Sequence, residues 1–328
     1  MAGAGGFIPV VHAATESRPD EVDTIIAAQA VSGALETLGF TTEVIGLTSD
    51  LAELDALPSR RPLVVFNLVD AVNGDGRLAP MVPARLEALG LNYTGCSTSA
   101  WLNTLSKIAT KLKLAHAGLP TPSWSEDGKG VDADAPVIVK PVWEHGSLGL
   151  DEGSVMRGTD AARSIAERNL RWKTEHFAEA FLAGREFNLS VLDGPSGPAV
   201  LPIAEILFQG FAAQTPRIVG YHAKWTPDSA AYIGTPRRFG LEVENPELAG
   251  KLKGLALACW QLFALSGYAR VDFRLDGQGE PAILEVNMNP CLSPDAGYAA
   301  AAEEAGYSYE AMIGAIVEAS LGALQATA

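Results

Sequence analysis

Apolar and polar positions fall into alternating blocks along the first third of the chain. Phe7 to Ala13 is a short, nearly continuous apolar run and reads as a buried strand. From Asp20 to Leu38 apolar residues recur at helical spacing (Val22, Ile25, Ile26, Val31, Leu35, Leu38), and Gly39 ends the helix. Thr42 to Leu47 predicts a strand, Asp50 to Leu57 a short helix, Pro62 to Val69 a strong strand and Leu78 to Leu89 another helix. This alternation predicts a small parallel sheet with helices on its faces. Ligands of such sheets sit beyond the carboxyl ends of the strands, so the loops after Ala13 and after Val69 belong beside a site. The glycines between Gly3 and Gly6 precede the first strand instead of following it and do not read as a phosphate loop.

Asn92 to Cys96 reads as the exit from this first unit. The segment from Ser97 onward predicts one helix ended by Gly118 and Pro120, with Lys107 and Lys111 one turn apart on one face. Taken alone, that pair reads as two solvated lysines. Val137 to Val139 is a buried-type strand closed by Lys140, an unusual place for an ammonium unless it meets an anion. The loop behind it carries Gly146, Ser147 and Gly149 and has the composition to turn amides toward an anion. Asp160 to Arg171 predicts an exposed helix. Phe177 to Leu182 passes through Ala183 and Gly184 into a strand from Glu186, which makes a hinge between two lobes. Pro198 to Ile206 reads as one strand. Phe208 to Pro236 has little periodicity, and loops of that length in compact domains are usually functional or disordered. Lys224, in its middle, suits a loop that closes over a reaction. Pro246 to Leu265 and Ala299 to Leu324 predict helices.

The densest chemistry lies between Gly267 and Tyr298. Two apolar strands flank a turn at Asp276-Gly277-Gln278-Gly279. Residues two apart on a strand share a face, so Arg270 sides with Asp272 and Glu285 with Asn287. Pairing of this hairpin gathers two carboxylates and an amide oxygen beside one guanidinium. Hard oxygen donors of this kind suit Mg²⁺, particularly where substrate phosphates complete its shell.

Composition narrows the possibilities. At 328 residues the chain is too long for one small core and suits two or three subdomains. Apolar residues make up 48% and charged residues 19%, a globular balance. The net charge of −15 argues against non-specific nucleic-acid binding. It leaves phosphate ligands open, because local lysines and metal ions set the field where they bind. Cys96, Cys259 and Cys291 are too few and too scattered for a disulfide framework or a zinc pattern. The N-terminus has no basic-then-apolar leader, and no stretch reaches the roughly 18–20 apolar residues of a membrane span. The expectation is a cytoplasmic protein with neither membrane nor nucleic-acid partners.

A series of motifs then runs in order: V-F-N-L from Val65, Y-T-G-C from Tyr93, the K-x-x-x-K of Lys107 and Lys111 before A-G-L-P, and V-K-P-x-x-E-x-G-S-x-G from Val139. It continues with E-x-F-L-x-G-R-E-F from Glu179, A-K-W from Ala223, R-x-D-F from Arg270 and E-x-N-x-N-P from Glu285. From about Phe66 to the C-terminus this series resembles the D-alanine–D-alanine ligases of the ATP-grasp superfamily. The resemblance implies an α/β protein, α+β in its ATP-binding lobes. Its parts would be an N-terminal parallel-sheet domain (1–97), a central lobe (98–182) and a C-terminal lobe with the metal site (183–328), the two lobes sandwiching ATP. It also implies a carboxylate–amine ligase working through an acyl phosphate on small-molecule substrates. Lys107 and Lys140 would contact the ATP phosphates, with Gly146 and Ser147 in the glycine loop. Glu179, Phe181 and Leu182 would flank adenine, Glu186 would take the ribose, and Lys224 would reach the transferred phosphate. Asp272, Glu285 and Asn287 would bind two Mg²⁺, or Mn²⁺ in their place, with Glu285 bridging. Arg270 and the backbone amide of Cys291 would hold the oxyanion, the Cys291 thiol itself having no nucleophilic part. The family is often dimeric through its N-terminal domain, so a homodimer is one expectation.

The departures concern the substrate. The family's glutamate for the first D-alanine's ammonium lies in a motif absent here, where Glu16 is the available substitute. Asp70 and Asp295 stand where the family has histidines, and Ala296 stands where a serine grips the second D-alanine's carboxylate, close to Ser293. Lost hydrogen bonding and an added acid are expected to disfavour a free α-carboxylate there. The reading is a ligase with altered amino-acid-like substrates. Three alternatives stay open: a true D-alanine–D-alanine ligase, a relative that closes a ring within one molecule, and a non-catalytic ATP-binding regulator.

Overall fold

The computed structural model describes residues 5–14, 18–144, 146–212 and 214–325. Strands β1 (Phe7–Ala13), β2 (Thr41–Leu47) and β3 (Phe66–Asn67) form a parallel sheet in the order β2-β1-β3. Helix α1 (Pro19–Thr37) crosses between β1 and β2, and Gly39 takes up a left-handed φ of 88° just past its end, a conformation glycine adopts without steric penalty. The short helices α2 (Ala52–Asp55) and α3 (Leu57–Arg60) replace the single helix expected there. The strand expected over Pro62–Val69 keeps regular ladder pairing only at β3, although Leu63 and Leu68 still donate backbone bonds to β1. Helix α4 (Met81–Ala88) completes the unit.

One helix was expected across residues 97–118, and the chain instead forms α5 (Thr98–Thr104) and α6 (Lys107–His116). The reason is local: Ser97 and Ser106 each cap a new N-terminus, accepting from the amides of Ala100 and Ala109. A four-stranded antiparallel sheet follows, from β4 (Trp124–Ser125), β5 (Pro136–Pro141), β6 (Val155–Arg157) and β7 (His176–Ala180), in the order β4-β7-β5-β6. Helix α7 (Ala161–Trp172) packs on it, burying Val137, Val139, Ala161, Ile165 and Ala178.

The third sheet contains β8 (Glu186–Leu192), β9 (Ala199–Val200), β10 (Ala204–Ile206) and β11 (Arg237–Arg238), then β12 (Tyr268–Leu275) and β13 (Pro281–Asn287). The single strand expected over Pro198–Ile206 divides into β9 and β10 on the same edge of β8, interrupted around Pro202, which has no N–H to give a ladder. Between β10 and β11 lie helices α8 (Tyr221–Trp225) and α9 (Ala230–Ile233), inside the stretch that showed no periodicity. Helix α10 (Leu241–Glu244) and α11 (Pro246–Leu262) cover the outer face, with Cys259 fully buried in that core. The chain ends in α12 (Gly297–Glu304) and α13 (Tyr309–Gln325). These last helices return to the first sheet: Met312, Ile313, Ile316 and Val317 share one core with Ile8, Val10, Val31 and Leu35. The three sheets therefore enclose a common cleft, with β12 and β13 along its floor.

Candidate active site

Antiparallel pairing of β12 and β13 puts Asp272 directly across from Glu285 and Arg270 across from Asn287, with a bulge just after Asp272. Alternation sends all four into one cleft of about 1040 Å³. Arg270 grips Asp272 with two parallel bonds (Nε to Oδ1 2.7 Å, Nη2 to Oδ2 2.9 Å). Asn188, on β8, donates to the same carboxylate at 2.8 Å. Burial works against the Arg270 charge, but Asp272 and Glu285 more than offset it and raise its pKa. Across the cleft, Lys107 Nζ lies 3.1 Å from Glu285 Oε1 and also donates to the Glu144 carbonyl.

The two lysines of α6 are buried, Lys107 at 7% and Lys111 at 1% exposure, which corrects their reading as a solvated pair. Lys107 is paired with Glu285 and the Glu144 carbonyl, and for Lys111 the physical reason is Glu179. Its carboxylate, itself 1% exposed, meets Lys111 on one oxygen and Lys140 (2.6 Å) on the other. Burial alone would push the Glu179 carboxyl up, and the two ammoniums override it and hold it below the ordinary range. Lys111 also bonds Thr121 and lies under the Trp124 ring. Lys140, which lies within β5 and does not end it, thus does meet an anion, and the Glu179 side chain is occupied by lysines.

The long stretch before β11 folds over the cleft as a lid. The Trp225 indole donates to the Gly146 carbonyl at 2.8 Å, and Ser147 Oγ donates to the Val219 carbonyl at 3.1 Å. Ser147 is itself left-handed at φ 63°, so the glycine loop turns sharply at a residue that pays a steric cost there. On the other side Tyr221 donates to Asp20 Oδ1 at 2.9 Å, in the first turn of α1. These bonds hold α8, and with it Lys224, against the cleft. Burial, followed by the nearby Arg270, pushes the Lys224 ammonium below its ordinary value.

The cleft is also lined by Arg18, Asp20, Asp23, Asp70, Glu144 and Ser293. Arg18 bonds Asp20 and caps α1 together with Glu21. Asp70 is open to solvent within the cleft, yet desolvation by the surrounding protein, with repulsion from Asp20 and Glu144, pushes its pKa up to about 6. The Cys291 thiol lies 2.9 Å from Asp23 Oδ2, and Ser293 Oγ donates to the Asp23 carbonyl at 3.3 Å. Burial and Asp23 push that thiol up to about 12, which leaves it protonated and bound as a tie between α1 and the loop after β13.

Of the residues singled out from sequence, Asp70, Lys107, Lys140, Gly146, Ser147, Glu179, Phe181, Leu182, Glu186, Lys224, Arg270, Asp272, Glu285, Asn287, Cys291, Ser293 and Asp295 all border this one cleft. Glu16 lies outside the described residues. Sequence reasoning missed Arg237 and Arg274. Arg237 donates to the Asp295 carbonyl at 2.9 Å, and its Nε lies 3.3 Å from where a side chain on Gly297 would begin. A guanidinium therefore stands beside Ala296, where a lost hydroxyl had suggested no grip for an anion. Arg274 lies two residues beyond Asp272 on β12, and the alternation that exposed Arg270 and Asp272 would have found it. Arg237 is at the end of an aperiodic stretch and carried no signal.

The model of the D-Ala–D-Ala ligase C-terminus matches residues 129–318. The chain is 31% identical to the uncharacterised protein y4sG of Sinorhizobium fredii over 301 residues, 89% of this chain and 86% of that protein. It is 32% identical to the D-alanine–D-alanine ligase of Desulforudis audaxviator over 297 residues, 88% of this chain and 90% of the relative. Among solved structures, the D-alanine–D-alanine ligase of Bacillus anthracis complexed with ATP superposes with a TM-score of 0.75, covering 98% of this chain and all of the other. At 23% identity that likeness speaks for the fold.

Proposed function

This chain belongs to the D-alanine–D-alanine ligase family of ATP-grasp enzymes, and we propose that it joins a carboxylate to an amine on amino-acid-like substrates other than a pair of D-alanines. One observation carries the substrate part. The positions where this chain departs from the family, Asp70, Asp295 and Ala296, line the same cleft as Lys107, Lys140, Lys224 and Arg270. That shared lining supports a part for the departures in recognising the substrates.

The chemistry follows from the residue types. A carboxylate is a poor electrophile, so the γ-phosphoryl group of ATP is first moved onto it. Lys107, Lys140 and Lys224 approach the cleft from three different segments and suit the crowded phosphate oxygens. Asp272 and Glu285 face each other across two strands with Asn287 beside them, a hard-oxygen set that Mg²⁺ accepts when phosphates complete its shell. Among the described residues, no group of three or more His, Cys, Asp or Glu side chains is placed to hold a metal on its own. Magnesium bound there would neutralise phosphate charge during transfer. Arg270, fixed by Asp272, is then directed at the oxyanion formed when the amine attacks the acyl phosphate, and one such donor is typically worth about 3–4 kcal/mol. Phosphate leaves and an amide remains.

At one end of the cleft the acids Asp20, Asp23 and Asp70 suit an ammonium on the acyl donor. At the other, Arg237 supplies a cation where Ala296 supplies no hydroxyl, with Asp295 close by. No helix among the described residues is long and apolar enough to cross a membrane, and a cytoplasmic setting is part of the same proposal.

The test is ADP release by the purified protein with Mg-ATP, offering amino acids singly and in pairs, D-alanine included, and reading products by mass. Turnover with a pair other than two D-alanines is the expected result. Efficient D-alanyl-D-alanine formation at micromolar to low-millimolar substrate would overturn the substrate reading. Nucleotide binding without turnover on any substrate would favour a regulator instead.

A further inference from the structure

Arg274 is buried to 4% exposure on the wall of the cleft, and nothing in the chemistry above uses it. Its guanidinium meets three segments at once. Nε lies 3.1 Å from Glu186 Oε2 on the neighbouring strand, where the register pairs Arg274 with Glu186. Nη1 donates to the Leu182 carbonyl at 2.8 Å, on the hinge between β7 and β8. Nη2 donates to the Arg217 carbonyl in the stretch leading to the lid. Its central carbon lies over two aromatic rings, 5.3 Å from the centre of Phe181 and 5.2 Å from that of Phe208. A planar fork with this many fixed partners has one orientation available to it, unlike a lysine on a flexible stem.

We propose that Arg274 is a specificity-determining residue for the nucleotide, holding the Glu186 carboxylate at one setting so that it reads the sugar hydroxyls. The inference rests on the reading that the cleft takes ATP with its sugar at Glu186. Glu186 has two oxygens: Oε2 is ion-paired with the guanidinium at 3.1 Å, without a hydrogen bond from Nε, and Oε1 is the one to accept from a hydroxyl in this reading. Anchored at hinge and lid approach together, Arg274 fixes where that remaining oxygen points. Without the anchor Glu186 has several rotamers, and the sugar hydroxyl loses a preset acceptor. Arg274 is thus a positioning residue: it touches the reader of the sugar, and the reacting atoms lie elsewhere.

The experiment is direct binding of Mg-ATP and Mg-2′-deoxy-ATP by calorimetry on the full chain, which needs no knowledge of the other substrates. Wild type is expected to prefer ATP by roughly tenfold or more, as a hydrogen bond to a charged group implies. Arg274→Met and Glu186→Gln should each bring the ratio close to one, and the double variant should lose nothing further. Arg274→Lys, the milder change in case Arg274→Met does not fold, should give an intermediate ratio, since one ammonium cannot hold all three partners. A variant that weakens both nucleotides equally would show a merely structural arginine and overturn the inference. A wild type that binds nucleotide without preferring ATP would overturn it as well. A wild type that binds no nucleotide would overturn the ligase reading itself and this inference with it.

Discussion

Asp70 shows how a single side chain ties substrate to pH. Although Asp70 is open to solvent, desolvation by the protein around it, with Asp20 and Glu144 nearby, raises its pKa from the ordinary 3.8 to about 6. The folded chain therefore binds that proton more tightly than the unfolded chain does. The stability Asp70 contributes is complete below about pH 4 and is lost as pH rises through 6. Asp70→Asn should melt with wild type near pH 4 and above it at pH 7.5; equal melting temperatures at both pH values would show that the crevice does not strain the carboxylate. The same proton bears on function. If Asp70 faces a cationic group of the donor, wild-type affinity should fall as pH drops through 6, and the asparagine variant should be weak and flat across that range. Arg237 supports a complementary prediction at the other end of the cleft. Its guanidinium stands beside Ala296, so Arg237→Met should raise KM for an acceptor bearing an anionic group about tenfold or more, with KM for ATP little changed. Equal effects on both KM values in steady-state kinetics would show that Arg237 shapes the cleft without touching the acceptor.

Elements were legible where periodicity or an apolar run was long. The hairpin of β12 and β13, the helix α1 and the strand β5 follow directly from their patterns. Boundaries failed where a short local signal overrode the pattern: Ser106 begins a second helix by capping Ala109, and Pro202 interrupts a strand by lacking a donor. The lid helices escaped because five- and four-residue helices are too short to show a period. Within the site, charged residues on strands could be placed by alternation. The burial of Lys107 and Lys111 could not, because it depends on distant partners, Glu285 on β13 for Lys107 and Glu179 on β7 for Lys111. The hinge is the element most exposed to a small change. A side chain added at Gly184 would start 2.3 Å from the Leu275 carbonyl oxygen, a backbone atom that cannot swing aside. Gly184→Ala should cost about 1–3 kcal/mol, as overpacking does, and lower the urea midpoint. An unchanged midpoint would mean the corner yields by moving one lobe against the other, and nucleotide affinity would then change instead.

At the scale of the whole molecule, the cleft is closed by parts of every sheet. The first sheet contributes Asp70 and the first turn of α1, the second contributes Lys140 and the glycine loop, and the third contributes the Arg270–Asp272 pair. The lid spans all of this, with Tyr221 on Asp20 and Trp225 on Gly146. Cations and carboxylates in this cleft already neutralise one another in pairs, Lys107 with Glu285 and Arg270 with Asp272. A nucleotide entering with magnesium would exchange those partners, lysines turning to phosphate and carboxylates to metal, with the total charge kept near balance. Binding should therefore couple the three sheets and stabilise them together. Mg-ATP at a hundred times its dissociation constant should add about 2.7 kcal/mol to the folded state, visible as a rise in melting temperature. Glu285→Gln keeps the shape and removes the charge that must face both Lys107 and metal, so its rise should be much smaller and should no longer depend on magnesium. A variant whose melting temperature climbs with Mg-ATP as steeply as wild type would place the metal away from β13, and the pairing of Glu285 with Lys107 would then be a structural bridge alone.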